Sequence, residues 1–425
     1  MIREVEADKT LLVNGPASVR LISGEVEILG ASFGVDERII IRDGKRLPFY
    51  AEKKAVFDII HGEDSVVDET SGNTVPTSWF KLTEEVFSLK KPAVAMIMGD
   101  VDSGKTSVCT FLVNSALKAR LRVAVVDADL GQSDIGPPTT IGLAYIDKPV
   151  KDLFHVEASN VCFVGFTNPS GAKNRIAQCI VGFKNQVFKG SEDLLVVNTD
   201  GWVKGEEAVQ YKIMLAEKVA PNVVVMIQQK DELAPILLGL KKTKVFVVSP
   251  STAISERDRE KRQVLRELSY RKYLKNAKIE AFPLGWTKIE GMHSTPDLFL
   301  TNERLKRIEE MLGVHPVFCE ETINAIWVVL RQGQMPNFER LQKAEEVFNK
   351  KVKVLQKGDE EGLIVGLHDA EDNFLGIGVI CDVDYRRKVM KIHTSVTDEV
   401  ATIRVGNVRL DAAYREISTV TPSRG

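Results

Sequence analysis

Ala93-Val94-Ala95-Met96-Ile97-Met98-Gly99-Asp100-Val101-Asp102-Ser103-Gly104-Lys105-Thr106 is an apolar run that empties into G-x-x-x-x-G-K-[ST]. A helical pattern follows toward Arg120, with Cys109, Leu112 and Leu117 at helical spacing. Strand, glycine loop and helix in this order are the setting in which the motif reads as a phosphate-binding loop. Two glycines let the backbone curl around phosphate oxygens with its N–H groups turned inward, above the positive end of the helix dipole. On this reading Gly99, Asp100, Val101, Asp102, Ser103, Gly104, Lys105 and Thr106 cradle a nucleotide triphosphate. Lys105 reaches the β- and γ-phosphates, and the Thr106 hydroxyl sits on Mg²⁺. A glycine turn without chemistry would need neither the strand before it nor the helix after it.

Working outward, apolar strands and helical stretches alternate from about Lys90 to Asn302, the βαβ pattern of a parallel sheet covered on both faces. The strand candidates are 93–98, 123–126, 161–166, 194–197, 223–227, 245–248 and 279–284. Before this region, short alternating runs separated by turn residues (18–22, 24–30, 38–41 and 55–57) predict an antiparallel all-β domain. Residues 79–89 read as a helix or an extended linker. After about Leu305 short strands return (326–330, 352–355, 363–367, 375–380, 388–393 and 402–405), with one helical stretch over 338–348. The expected architecture is therefore α/β. A central P-loop doubly wound parallel sheet (88–305) is flanked by an N-terminal sandwich-like β domain (1–87) and a C-terminal β-rich domain (306–425).

Bulk properties narrow the class. The 425 residues are 44% hydrophobic, enough for real cores, and 57 basic against 59 acidic residues leave a net charge of -2. A polyanion would thus have to be met by a local patch. The five cysteines, Cys109, Cys162, Cys179, Cys319 and Cys381, form no C-x-x-C pair, so they read as buried thiols in a reducing compartment rather than as a zinc site or disulfide framework. No signal-peptide pattern opens the chain and no apolar run approaches a membrane span, which predicts a cytoplasmic protein without a membrane partner.

Ligands of such sheets bind at the carboxyl ends of the strands, and four polar clusters fall there: the loop at Gly99, Asp127-Ala128-Asp129, Thr167-Asn168-Pro169-Ser170, and Thr199-Asp200-Gly201-Trp202. The period of two along a strand points Asp127 and Asp129 to one side. One carboxylate can then hold Mg²⁺ while the other accepts the proton of an attacking hydroxyl. The competing reading has the pair capping the next turn. Guanine selection lacks an Asn-Lys-x-Asp element, since Gln228-Gln229-Lys230-Asp231 does not fit, so ATP is the expected nucleotide. Residues 256–275 carry a local charge of +4. Arg257 and Arg262 can close over the triphosphate as a lid, against the alternative of a solvated helix laced with ion pairs. Trp202 offers an indole face to a nucleobase, against the alternative of a core tryptophan.

Together G-D-V-D-S-G-K-T at 99–106, D-A-D-L-G-Q at 127–132, T-N-P-S at 167–170, N-T-D-G-W at 198–202 and the arginines at 257–262 resemble the polynucleotide 5′-hydroxyl kinases of the RNA cleavage-factor family, most closely the archaeal polyribonucleotide kinase branch. The resemblance spans nearly the whole chain. It implies ATP-dependent transfer of the γ-phosphate to the 5′-hydroxyl end of RNA, with single-stranded DNA as a further acceptor and with Mg²⁺ as the metal, for which Mn²⁺ substitutes. It also implies roles: Asp129 activates the RNA hydroxyl and meets the metal with Thr106, and Asp127 supports the metal shell. Gln132, Thr167 and Asn168 hold the RNA, Trp202 stacks on its terminal base, and Arg257 and Arg262 form the lid. Lys45 or Arg46 is expected near the adenine. Asp100 departs from eukaryotic relatives, which tend to carry a small residue or proline there. Two rival functions remain open at this point. One is a non-catalytic ATP-bound scaffold of an RNA-processing complex. The other is an ATPase of the partitioning type, against which stands the lack of a second lysine early in the loop.

Overall fold

The apolar run at 93–99 becomes a strand with every residue buried, as its lack of alternation requires of a strand covered on both faces. The computed structural model describes residues 1–63, 65–253, 259–291, 300–323 and 325–419. They fall into two units, Met1–Leu268 and Ser269–Gly425.

In the first unit the strand Ala93–Gly99 lies inside a seven-stranded sheet. Its neighbours are Leu194–Thr199 and Val223–Ile227, both parallel to it. Val123–Ala128 and Val245–Val248 extend the parallel set. The expectation of a uniformly parallel sheet needs one correction: Thr140–Ile146 and Asn160–Phe163 complete one edge in antiparallel pairing. The first of these strands carries Gly142 and follows Pro137-Pro138, and it is not among the strands expected from the sequence.

Alternate residues of the central strand feed two cores. Ala93, Ala95 and Ile97 pack with the helices Thr77–Ser88 and Lys105–Lys118. Val94, Met96 and Met98 pack with Lys173–Lys189 and Glu206–Val219. The stretch at 79–89 is thus resolved as helix. Trp79 is fully buried, and its Nε1–H donates to Ser249 O (2.8 Å). Burying such a ring stabilises by roughly 1.5–3 kcal/mol.

Residues 2–71 form two antiparallel sheets, as the alternation predicts. Four strands are ordered Ile2–Val5, Ala55–His61, Ala17–Ser23, Arg38–Ile41, and five are ordered Ala31–Phe33, Val26–Ile28, Arg46–Ala51, Lys9–Asn14, Val67–Ser71. Phe33, Phe49 and Phe57 meet edge to face in their core at 5.4 and 5.8 Å.

In the second unit Lys278–Pro283 pairs antiparallel with Val389–Thr394. The run at 279–284, expected in the phosphate-loop sheet, therefore belongs to this unit's own sheet. That sheet continues through Phe374–Asp384, Leu363–His368, Thr402–Leu410 and Lys288–Glu290. A three-stranded sheet (Phe318–Glu321, Ala325–Leu330, Lys351–Gln356) packs the helices Asn302–Leu312 and Phe338–Phe348.

The cysteine reading is also corrected. Cys162 and Cys179 are joined as a disulfide, with Cα atoms 6.0 Å apart, while Cys109, Cys319 and Cys381 are free. The two partners lie 17 residues apart on an edge strand and a helix, a spacing with no sequence signature. Among the described residues no helix is long and apolar enough to cross a membrane.

Candidate active site

A cleft of about 1040 Å³ opens at the carboxyl ends of the parallel strands of the first unit. Residues 100–106, Asp129, Gln132, Thr167, Asn168, Trp202 and Arg262 all line it. Gly104 begins the helix Lys105–Lys118 at φ 92°, a conformation that costs a residue with a Cβ and that turns the loop around the helix terminus. Lys105 is 6% exposed, and its ammonium donates to Asp100 O (2.7 Å), so the side chain folds back along the loop. Burial lowers its pKa, and the nearby Asp129 opposes that.

The two carboxylates after the strand Val123–Ala128 stand in different environments. The strand ends at Ala128, so the period of two that would align them stops before Asp129. Asp127 is fully buried and does not line the cleft. Its Oδ2 accepts from the backbone N–H of Asp134 (2.6 Å) and Ile135 (3.2 Å), and its Oδ1 accepts from Asn198 Nδ2 (3.0 Å). Burial above all, then Asp134 and Asp129, push its pKa up to about 7. Asn198 Nδ2 also lies 3.4 Å from Thr106 Oγ1, which links this carboxylate to the loop threonine. Asp129 is half-buried in the cleft wall. Its Oδ1 accepts from Gly131 N (3.2 Å) and Gln132 N (3.0 Å), so it caps the turn while facing the cleft. Burial raises its pKa, and Lys105 pulls it back down.

The remaining expected residues fall as follows. Arg262 Nη1 pairs with Asp102 Oδ2 (3.1 Å), which brings the helix Arg259–Tyr273 to the phosphate loop. Arg257 lies outside the described residues. Gln132 Nε2 donates to Gly131 O (2.9 Å) and Arg262 O (3.1 Å), tying the turn to that helix. Asn168 is exposed and caps its own turn by accepting from Ser170 N (2.8 Å). Trp202 is half-buried, with its ring stacked on Tyr211 (5.7 Å, 30°). Lys45 and Arg46 both reach the cleft wall.

Other residues of the cleft carry no assigned role in the sequence reading. Asp200 and Arg266 line the cleft, and Lys204 does so while paired with Asp100 (2.6 Å). Asp134, whose N–H holds Asp127, is bound in turn by Arg42 and Lys45. Arg42 also lies 4.0 Å over the Phe154 ring. The N-terminal sheets are thereby connected to the carboxylate strand through partners about 90 residues apart, which no local pattern announces.

The model of the mRNA cleavage and polyadenylation factor CLP1 P-loop family matches residues 99–276. Over 346 residues the chain is 30% identical to a polyribonucleotide 5′-hydroxyl-kinase of Pyrococcus abyssi, covering 80% of this chain and 93% of the relative. This chain belongs to the polyribonucleotide 5′-hydroxyl-kinase family. The kinase of Methanocaldococcus jannaschii is 26% identical over 356 residues, covering 81% and 94%. A CLP1 homolog of Brugia malayi is 26% identical over 239 residues, covering 52% and 55%. Among solved structures, Clp1p in its interface with Pcf11p superposes with a TM-score of 0.67 at 14% identity, covering 96% of this chain and 98% of that one; it shares the fold. The motifs at the strand ends thus indicated the family to which the kinases belong.

Proposed function

We propose that this kinase-family chain transfers the γ-phosphate of ATP to the 5′-hydroxyl of RNA in RNA processing. The observation that carries this reading is the single cleft in which the phosphate loop, Asp129, Thr167 and Trp202 all take part. Phosphoryl transfer needs little covalent chemistry from the protein, so positioning and charge stabilisation do most of the work. Lys105 holds the β- and γ-phosphates, and Asp129 accepts the proton of the 5′-hydroxyl as its oxygen approaches phosphorus in line. Arg262 moves from Asp102 to the phosphates, whose greater negative charge competes for the guanidinium. Asp127 acts from beneath, fixing the backbone that carries Asp129. Trp202 stacks on the terminal base, with Thr167, Asn168 and Gln132 on the RNA side of the cleft.

A divalent ion suits the donor set. Among the described residues no three His, Cys, Asp or Glu side chains are clustered as a metal cage. Mg²⁺ characteristically takes one or two protein oxygens and completes its shell with phosphate and water. Thr106 and Asp129 would supply those oxygens, and Asn198 Oδ1, buried without a hydrogen-bond partner, is available to a metal-bound water. The ion would neutralise charge on the bridging phosphate oxygens, and Mn²⁺, with similar ligand preference, substitutes. Single-stranded DNA serves as a further acceptor because stacking on Trp202 reads a base face, which both nucleic acids share. A cytoplasmic location fits an enzyme that draws on ATP.

The test is transfer of labelled phosphate from ATP to a 5′-hydroxyl oligoribonucleotide. Retained nucleotide without transfer would favour a scaffold, and hydrolysis without an acceptor would favour an ATPase.

A further inference from the structure

Lys212 plays no part in the chemistry above, yet its side chain is fully buried on the helix Glu206–Val219. A buried ammonium is expensive unless all its protons are used. Here they converge on two successive residues. Nζ donates to Thr199 Oγ1 (3.2 Å) and Asp200 O (2.8 Å), and it forms an ion pair with Asp200 Oδ2 (3.0 Å). The Thr199 hydroxyl in turn donates a hydrogen bond to Ile97 O (2.8 Å) on the phosphate-loop strand.

Asp200 in turn holds Trp202 twice. Its Oδ1 accepts the Trp202 backbone N–H (2.9 Å). Its Oδ2 accepts the Tyr211 hydroxyl (3.0 Å), and the indole stacks on that tyrosine ring. Gly201, between them, leaves no room for adjustment, because an added Cβ would stand 2.8 Å from Val101 Cα of the phosphate loop. Both constraints on the indole, through its backbone and through its ring, therefore pass through one carboxylate whose cation is Lys212.

An apolar pair of similar volume would stabilise the core as well or better. What the ion pair supplies is direction. We propose that Lys212 is a positioning residue for RNA: by clamping Asp200 it fixes the Trp202 indole in the pose on which the 5′-terminal base stacks, and so sets the approach of the 5′-hydroxyl to Asp129. The inference rests on Trp202 being the base platform.

The experiment is steady-state kinetics of the full chain with ATP and a 5′-hydroxyl oligoribonucleotide. In Lys212→Met the KM for RNA rises about 10-fold, within the range that loss of a base stack produces. The KM for ATP stays within about twofold, because the phosphate loop keeps its own contacts. The double variant Lys212→Met with Asp200→Asn recovers most of the loss: the amide oxygen still accepts the Trp202 N–H, and no unpaired charge remains. Should Lys212→Met fail to fold, Tyr211→Phe carries the test by deleting one hydroxyl, with a rise in RNA KM of about threefold expected.

An unchanged RNA KM in the folded variants overturns the proposal, as does an equal rise in both KM values, which marks a merely structural role. Trp202→Ala separates the layers. If it raises RNA KM while Lys212→Met does not, the platform stands and the positioning role falls. If Trp202→Ala itself has no effect, both fall.

Discussion

Replacing Asp127 with alanine should destabilise the protein in a way that depends on pH with a definite sign. The carboxylate accepts from Asp134 N, Ile135 N and Asn198 Nδ2, all within 3.2 Å and all buried. Its removal orphans two backbone donors and leaves Asn198 Nδ2 only its 3.4 Å contact with Thr106 Oγ1, at roughly 1–3 kcal/mol per lost bond, partly relieved by entering water, for a net loss of about 4 kcal/mol at pH 5. The charge works the other way. The folded-state pKa is raised from 3.8 to about 7, chiefly by burial. Between those two values the folded protein keeps a proton that the unfolded chain has released. Stability from this group is therefore full below about pH 4, falls by about 1.4 kcal/mol per pH unit as pH rises through the window, and levels off above 7. The alanine variant has no such dependence. From pH 5 to 7.5 the wild-type advantage should shrink by about 2–3 kcal/mol, which narrows the gap in Tm by roughly 3–5 °C. Thermal unfolding of both proteins at pH 5, 6 and 7.5 reads this directly. A gap that is constant, or that widens with pH, would refute the argument, since it would mean that Asp127 is ionised throughout.

Three further outcomes follow from named contacts. Gly201→Ala forces a Cβ to within 2.8 Å of Val101 Cα, so the phosphate loop must move, and calorimetry should show ATP affinity falling about 10-fold with little loss of Tm. Arg262→Ala removes the guanidinium proposed to close over the phosphates and its pairing with Asp102; kcat should fall by about 10³ while nucleotide binding by calorimetry changes far less. Serine at both Cys162 and Cys179 removes a cross-link closing about 17 residues and should cost about 3 kcal/mol, seen as a lower Tm than the oxidised wild type and no further drop on adding reductant.

The parts of this molecule legible from its text are those whose signal is local. The phosphate loop at 99–106 is a contiguous backbone shape, so its spacing alone announces it. Asp129, Thr167 and Trp202 were reachable because each follows a strand, and strand ends on one edge of an α/β sheet meet in space. Contributions that depend on distant partners were not legible. Thr140–Ile146 is absent from the expected strands, and what makes it one is its antiparallel pairing with Val123–Ala128. The run at 279–284 has strand character, but nothing in it says which sheet it joins. Asp134 and Arg42 meet across 92 residues. Lys212 did leave a trace: with Ala208, Leu215 and Val219 it shares the stripe that a helix buries, where a lysine needs a partner. The two carboxylates show the limit of periodicity, since the strand ends between them and places one beneath the cleft and one in its wall.

If Asp129 takes the proton of an RNA 5′-hydroxyl held against ATP at Lys105, its loss must slow transfer and spare nucleotide binding. Phosphate transfer to a 5′-hydroxyl oligoribonucleotide by Asp129→Asn, with nucleotide binding measured on the same sample, tests it most directly. ATP binding within a few-fold of wild type and transfer reduced by about 10² or more are expected. Transfer at the wild-type rate in that variant would contradict it.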